Sequence, residues 1–162
     1  MNHIIQKGVG LIEVLVSLVL LAIAVLGFAA LQLRAIESSS EASQQVLALT
    51  IARDLAERMR ANPQAVKNGI YKVGAVTLPT SEIETTAGNT NSIAAQDLKN
   101  AALQANKNGM NLSVANCPTE ITRQCIYVAW NDTSLSTNLG IESCIKDGVY
   151  RQGAHCLFLE AY

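Results

Sequence analysis

One acid in an otherwise unbroken apolar run constrains this chain more than any other feature. From Val9 to Leu31 the sequence reads VGLIEVLVSLVLLAIAVLGFAAL, about twenty-three residues in which Glu13 is the sole charge and Ser17 the sole hydroxyl. A hydrocarbon core of ~30 Å needs ~20 apolar residues at ~1.5 Å each, so a helix of this length spans a bilayer. A secretory signal peptide has a shorter apolar region that ends at a small-residue cleavage site. Here the helical pattern runs on. Lys7, just ahead of the run, holds the N-terminus in the cytoplasm by the positive-inside tendency and sends the rest outward, with Arg34 and Glu37 marking the exit. Ser17 is expected to hydrogen-bond back into its own helix rather than to act as a nucleophile. Gly27 permits a bend or a close helix contact, or is neutral.

No proline follows Arg34 until Pro63, and Val46, Leu49, Ala52, Ala56 and Met59 recur at helical spacing, with Leu47, Ile51 and Leu55 widening the stripe. This is an amphipathic helix. Glu57 is placed to pair with Arg53 or Arg60 across one turn, and the late basic residues suit the negative end of the helix. Asn62-Pro63 ends it, because a residue before proline is biased away from helical geometry. A helix from Val9 to Asn62 would be roughly 80 Å long, more than a domain of this size can cover. Something else must bury it.

The remaining sequence belongs to a different environment. The 49% hydrophobic content of the 162 residues comes largely from the first thirty-odd positions, and the rest is rich in Asn, Thr, Ser, Gln and Ala. A net charge of -1 lacks the basic excess of a phosphate-backbone binder, so no direct nucleic-acid binding is expected. Tyr71 to Leu78 reads as a short strand, Ser81 to Ser92 as loop, and Ala94 to Asn106 as a second helix with Leu98 and Leu103 inward. Leu112 to Cys117, Cys125 to Trp130 and Cys156 to Tyr162 carry strand signals. An α+β chain with an antiparallel sheet packed on the long helix is the simplest architecture. Trp130 is assigned to the core or to helix packing.

The four cysteines, Cys117, Cys125, Cys144 and Cys156, cluster late in the chain, as expected of two disulfides in an oxidising compartment. Three connectivities are possible. Sequential pairing is preferred, because the first two flank a turn with Pro118 and the last two flank Gly148 and Gly153. A zinc site adding His155 is disfavoured by the wide, irregular spacing and the export signal, so no metal is expected.

The segment Lys7-Gly8-Val9-Gly10-Leu11-Ile12-Glu13-Val14-Leu15 resembles the class III signal of type IV prepilins and type II secretion pseudopilins: a basic leader, a glycine, then an apolar helix with glutamate at the fifth mature position. Val9 stands where Phe or Met is common, and Gly10 where Thr or Ser is common. The resemblance implies cleavage between Gly8 and Val9 by a prepilin peptidase and N-methylation of Val9. It also implies that Glu13 is neutralised by the new α-amino group of a neighbouring subunit as the helices stagger into a filament. Ala52 to Asn62, ARDLAERMRAN, looks like the LA-x-ERMRAN ending of the first helix in PilV-type minor pilins. Weaker points of likeness are Asp97-Leu98 and the stretch from Ile126 to Trp130. Type II secretion pseudopilins of the I type share the same N-terminal design.

The resemblance implies a pilin-like fold: a cleaved leader over 1–8, a membrane and filament-core helix over 9–33, its amphipathic continuation over 34–62, and a periplasmic domain over 63–162. It implies a minor pilin that joins other minor pilins and the major pilin through the inner-membrane assembly platform, first in the inner membrane and then in a pilus at the cell surface. There it would prime assembly, cap the tip or serve twitching motility, adhesion and DNA uptake. A periplasmic binding protein that uses the helix as a tether is the reading from another class. Neither an enzyme nor a cofactor is expected: His3 falls in the leader, His155 sits beside a predicted disulfide, and the glycines around Val9 lack a preceding strand.

Overall fold

Unbroken helical propensity and the absence of proline over some fifty residues produce one long helix. In the computed structural model, which describes residues 10–76, 90–118, 122–135 and 140–162, α1 runs Leu11–Ala61. Gly8, Val9 and His3 lie outside the described residues, as does most of the expected loop over 81–92. By its contacts the chain divides into Met1–Ala42 and Ser43–Tyr162. In the first unit every described residue from Gly10 to Ser40 is exposed. The stretch is long and apolar enough to cross a membrane. Arg34 and Glu37 approach to 3.9 Å on its polar end, one turn apart.

The second unit is built on the remainder of α1. Its buried stripe is Ala48, Ile51, Ala52, Leu55, Ala56 and Met59. Val46, expected on this stripe, is 66% exposed: Ala48, two residues on, faces inward, which turns Val46 about 200° away. Asn62 precedes a short α2 at Pro63–Lys67, with proline at its first turn where the missing N–H costs nothing. Gly69, at φ +71°, closes α2: its N–H donates to Val66 O and Ile70 N–H to Ala65 O, both at 2.9 Å.

Of the strand expected over 71–78, the described residues form β1 at Gly74–Val76. Tyr71 lies in the preceding turn and Leu78 outside the described residues. The second helix, α3, runs Thr90–Lys107 and so begins earlier than expected, taking in 90–92. Its inner face is Ala94, Ala95, Leu98, Ala101, Ala102 and Ala105, while Leu103 is 39% exposed. Five residues beyond Leu98 is about 140° around the helix, so the two leucines cannot share a face. Gly109, at φ +69°, ends α3 with the same pair of bonds that closes α2.

Strand β2 is Asn111–Asn116, β3 is Gln124–Ala129 and β6 is Cys156–Glu160, with the pair β4 (Ile145–Lys146) and β5 (Val149–Tyr150) between the last two. The main sheet has the order β1-β2-β3-β6, all antiparallel. Strand β3 is buried at all six positions, which follows from cover on both faces. Ile126 and Val128, with Leu112, Val114 and Trp130, pack into the core formed with α1 and α3. Cys125, Tyr127 and Ala129 point the other way, into a smaller cluster with Leu135, Cys144 and Ile145. That cluster is closed by the β4–β5 hairpin and a 3-10 turn at Gly140–Ser143, neither of which is evident from the sequence.

Candidate functional site

The first candidate site is the start of α1. Glu13 lies in its first turn, where Gly10 O accepts Glu13 N–H at 2.9 Å and Val14 N–H at 3.3 Å. Ser17 Oγ donates to Glu13 O at 2.6 Å, the local bond expected of it. A hydroxyl engaged this way shields its polarity inside the helix and leaves the surface to its neighbours. Those neighbours, Leu11, Ile12, Val14, Leu15 and Val16, are all exposed. Glu13 therefore stands as one carboxylate on an exposed apolar cylinder. Such a group is tolerated in a low-dielectric setting when a cation comes to it. Gly27 has open space around it, so a side chain there would meet no atom of this chain.

A second polar centre holds the end of α1 to the structure behind it. Asp97, from the inner side of α3, accepts a 2.7 Å bond from Tyr71 OH and a 3.3 Å bond from Arg58 Nη1. Arg58 also donates through Nε to Asp54 Oδ2 at 3.0 Å. The Arg58 guanidinium is held still more firmly protonated by Asp54 and then by Asp97. Burial, and then the bond to Asp97, pushes the Tyr71 phenol well above its ordinary value. The Asp97 side chain is 11% exposed and that of Arg58 41%, so the acid is the buried member and the cation reaches water. Arg60 pairs with Glu57 at 2.6 Å on the outer face.

Beyond the sheet, Tyr127 OH donates to Asn116 O at 2.9 Å, and burial, then the nearby Tyr150, pushes its phenol up to about 12. Its ring stacks on Phe158 with centroids 6.1 Å apart. The bridges join Cys117 to Cys125 and Cys144 to Cys156. All four sulfurs are thereby used, which removes the thiolates a zinc site would need. His155 lies tilted against the buried Trp130, with ring centroids 6.4 Å apart.

Asp97 is visible in the sequence as part of a short likeness, but its partnership with Tyr71 and Arg58 is not.

Residues 5–29 match the family model of the prokaryotic N-terminal methylation motif. Residues 30–99 match that of type IV pilin Tt1218, the Tt1218-like family. Neither a curated protein nor a solved structure matches the chain significantly. The two matches adjoin, and they take in α1 from its exposed apolar start to the stripe that packs on the antiparallel sheet. The chain is a type IV pilin-like protein.

Proposed function

We propose that this chain is a minor pilin of the PilV type. It is cut by a prepilin peptidase between Gly8 and Val9, methylated at Val9, and assembled with other minor pilins and the major pilin by an inner-membrane platform. The observation that carries this reading is a single carboxylate, Glu13, on an exposed apolar helix directly behind the glycine of the methylation motif. Cleavage creates an α-amino group, and methylation keeps it basic. That charge, at the positive end of a helix, is the partner a neighbouring subunit's Glu13 lacks. The ending LAERMRAN, from Leu55 to Asn62, favours the PilV type over other pilins.

On this reading 1–8 is the leader, 9–33 serves first in the bilayer and then in the filament core, 34–62 continues the helix, and 63–162 is periplasmic and later displayed on the pilus. The type II secretion pseudopilin of the I type is separated by phenotype: deletion abolishes twitching motility and spares exoprotein secretion if the chain serves a pilus. Mass spectrometry of the mature protein tests processing. The expected species begins at methylated Val9. An intact Met1 in cells with active prepilin peptidase favours the tethered periplasmic protein instead.

A further inference from the structure

The dipeptide most prone to lose ammonia without an enzyme occurs twice in the chain, at Asn68-Gly69 and Asn108-Gly109. The likeness extends further, through Ala65 to Ile70, AVKNGI, and Ala105 to Met110, ANKNGM. In both, the glycine takes a positive φ, +71° and +69°, and the next residue's N–H returns to the alanine carbonyl at 2.9 Å. These are two helix ends closed in the same way. Both asparagines are exposed. Their local sequence gives them equal reactivity, so any difference between them comes from the fold.

The reaction needs the glycine backbone nitrogen to attack Cγ of the asparagine. A bond forms from that nitrogen to Cγ, the Cγ–Nδ2 bond breaks, and the glycine N–H proton departs with the amide nitrogen as ammonia. Water then adds to either carbonyl of the five-membered imide and leaves aspartate or isoaspartate. Glycine suits the step because no side chain crowds its nitrogen. In the closed cap the step is blocked. Gly69 N–H is bonded to Val66 O at 2.9 Å and Gly109 N–H to Asn106 O at 3.0 Å. Asn68, at φ -77° and ψ -1°, must turn out of helical geometry before its Cγ can meet the nitrogen. The reaction therefore passes through local opening, and the cap that opens more easily reacts first.

The surroundings of the two caps differ. Asn108 follows a helix of 18 residues, α3, and Met110, 2% exposed, leads directly into β2 at Asn111. Its Nδ2 also donates to Gln104 O at 2.8 Å, which draws the side chain back along α3. Asn68 follows α2, only 5 residues long, and no strand begins until Gly74. Its Oδ1 accepts a 3.3 Å bond from Gln64 Nε2, between two exposed side chains. That longer bond is the weaker hold, and it draws electrons from the very carbonyl that is attacked. Gln124, bonded to Val66 O, and Tyr71, bonded to Asp97, pin the chain on either side, which leaves the turn between them as the part that opens. We infer that Asn68 is a site of spontaneous deamidation and that the fold protects Asn108. Isoaspartate at this position adds a methylene to the backbone of the turn in which Ile70 N–H reaches Ala65 O, so its formation loosens the α2 cap. Neither Glu13 nor processing enters, and the inference holds or fails apart from the pilin reading.

The test ages the full chain in detergent micelles in mildly alkaline buffer, beside a sample unfolded in urea, and follows amide-to-acid conversion at each asparagine by peptide mapping and mass spectrometry. In the folded chain Asn68 is expected to convert at least about tenfold faster than Asn108, a factor equal to ~1.4 kcal/mol in opening. In urea the two should convert at equal rates. Equal rates in the folded chain, faster conversion at Asn108 or no conversion at Asn68 overturns the proposal. So does a preference for Asn68 that persists unchanged in urea, since it would then owe nothing to the fold. The isoaspartate form, separated by chromatography, should exchange hydrogen at the Ile70 amide at least about tenfold faster than the unaged chain, and unchanged exchange there overturns the effect on the cap.

Discussion

At the scale of single residues, Glu13 and Tyr127 each carry a charge or a proton whose surroundings decide its effect. Glu13 lies among exposed apolar side chains, and under the proposed function its use depends on a cation brought by another subunit. Glu13→Ala should leave membrane insertion intact, because it removes a charge from an apolar run. It should also lower incorporation into pili. A lost pairing energy of about 1.4 kcal/mol already means a factor of about ten. Immunoblots of sheared pili and of membranes measure the two separately, and wild-type amounts in the sheared fraction would refute a role in assembly. Tyr127 gives a pH dependence. Its folded-state phenol sits at about 12, above the ordinary 10. The folded state therefore keeps this proton after the unfolded state has lost it. The stability tied to the neutral phenol is fully present below pH 10 and declines as pH rises from there towards 12, and Tyr71, shifted the same way, adds to the decline. Tyrosinate absorbance during an alkaline titration should lag behind that of free tyrosine, and Tyr127→Phe should reduce the lag.

At the scale of elements, α1 separates what periodicity reveals from what it hides. Its extent and its end at Ala61 are legible because proline, charge and apolar spacing all agree. The stripe is less so. Val46 and Ala48 both fit a broad apolar face, and the alanine is the buried one. Leu103 misleads in the same way, since α3 buries a face made mostly of alanine and apolarity alone points to its leucines. The β4–β5 hairpin is two residues on each side, too short to alternate visibly. The centre formed by Tyr71 and Asp97 joins residues 26 apart, and the Gln124 side chain bonds β3 to α2 across 58. No local pattern reports such meetings. Two substitutions separate the buried and exposed members of the α1 stripe. Leu55→Ala, at a fully buried position, should cost about 2 to 5 kcal/mol. Val46→Ala should stay within about 0.5 kcal/mol. Urea unfolding of the head, followed by Trp130 fluorescence in micelles, reads both, and equal shifts would mean that the buried face has been misplaced.

At the scale of the whole molecule, the sheet in Ser43–Tyr162 is covered unequally on its two sides. One side has α1 and α3 and a continuous core. The other has a small cluster in which three of the seven buried members are cysteines. A layer this thin gains little from burial alone, so covalent closure matters more to it. The Cys144–Cys156 bridge spans 12 residues, a closure worth about 3 kcal/mol in the chain-entropy account. It ties the hairpin side directly to β6, and its loss should be felt unevenly. With Cys144→Ser and Cys156→Ser together, the amide of Arg151, which donates to Cys144 O at 2.9 Å, should exchange hydrogen at least about tenfold faster, because local opening needs only ~1.4 kcal/mol less for that change. The β2–β3 ladder should keep its protection, since α1 and α3 cover its other face without help from the bridge. Hydrogen exchange followed by mass spectrometry resolves the two regions. Equal acceleration in both would show that the disulfide layer and the helical core unfold as one unit. Retained protection at Arg151 would show that the hairpin is held by its packing, with the bridge adding little.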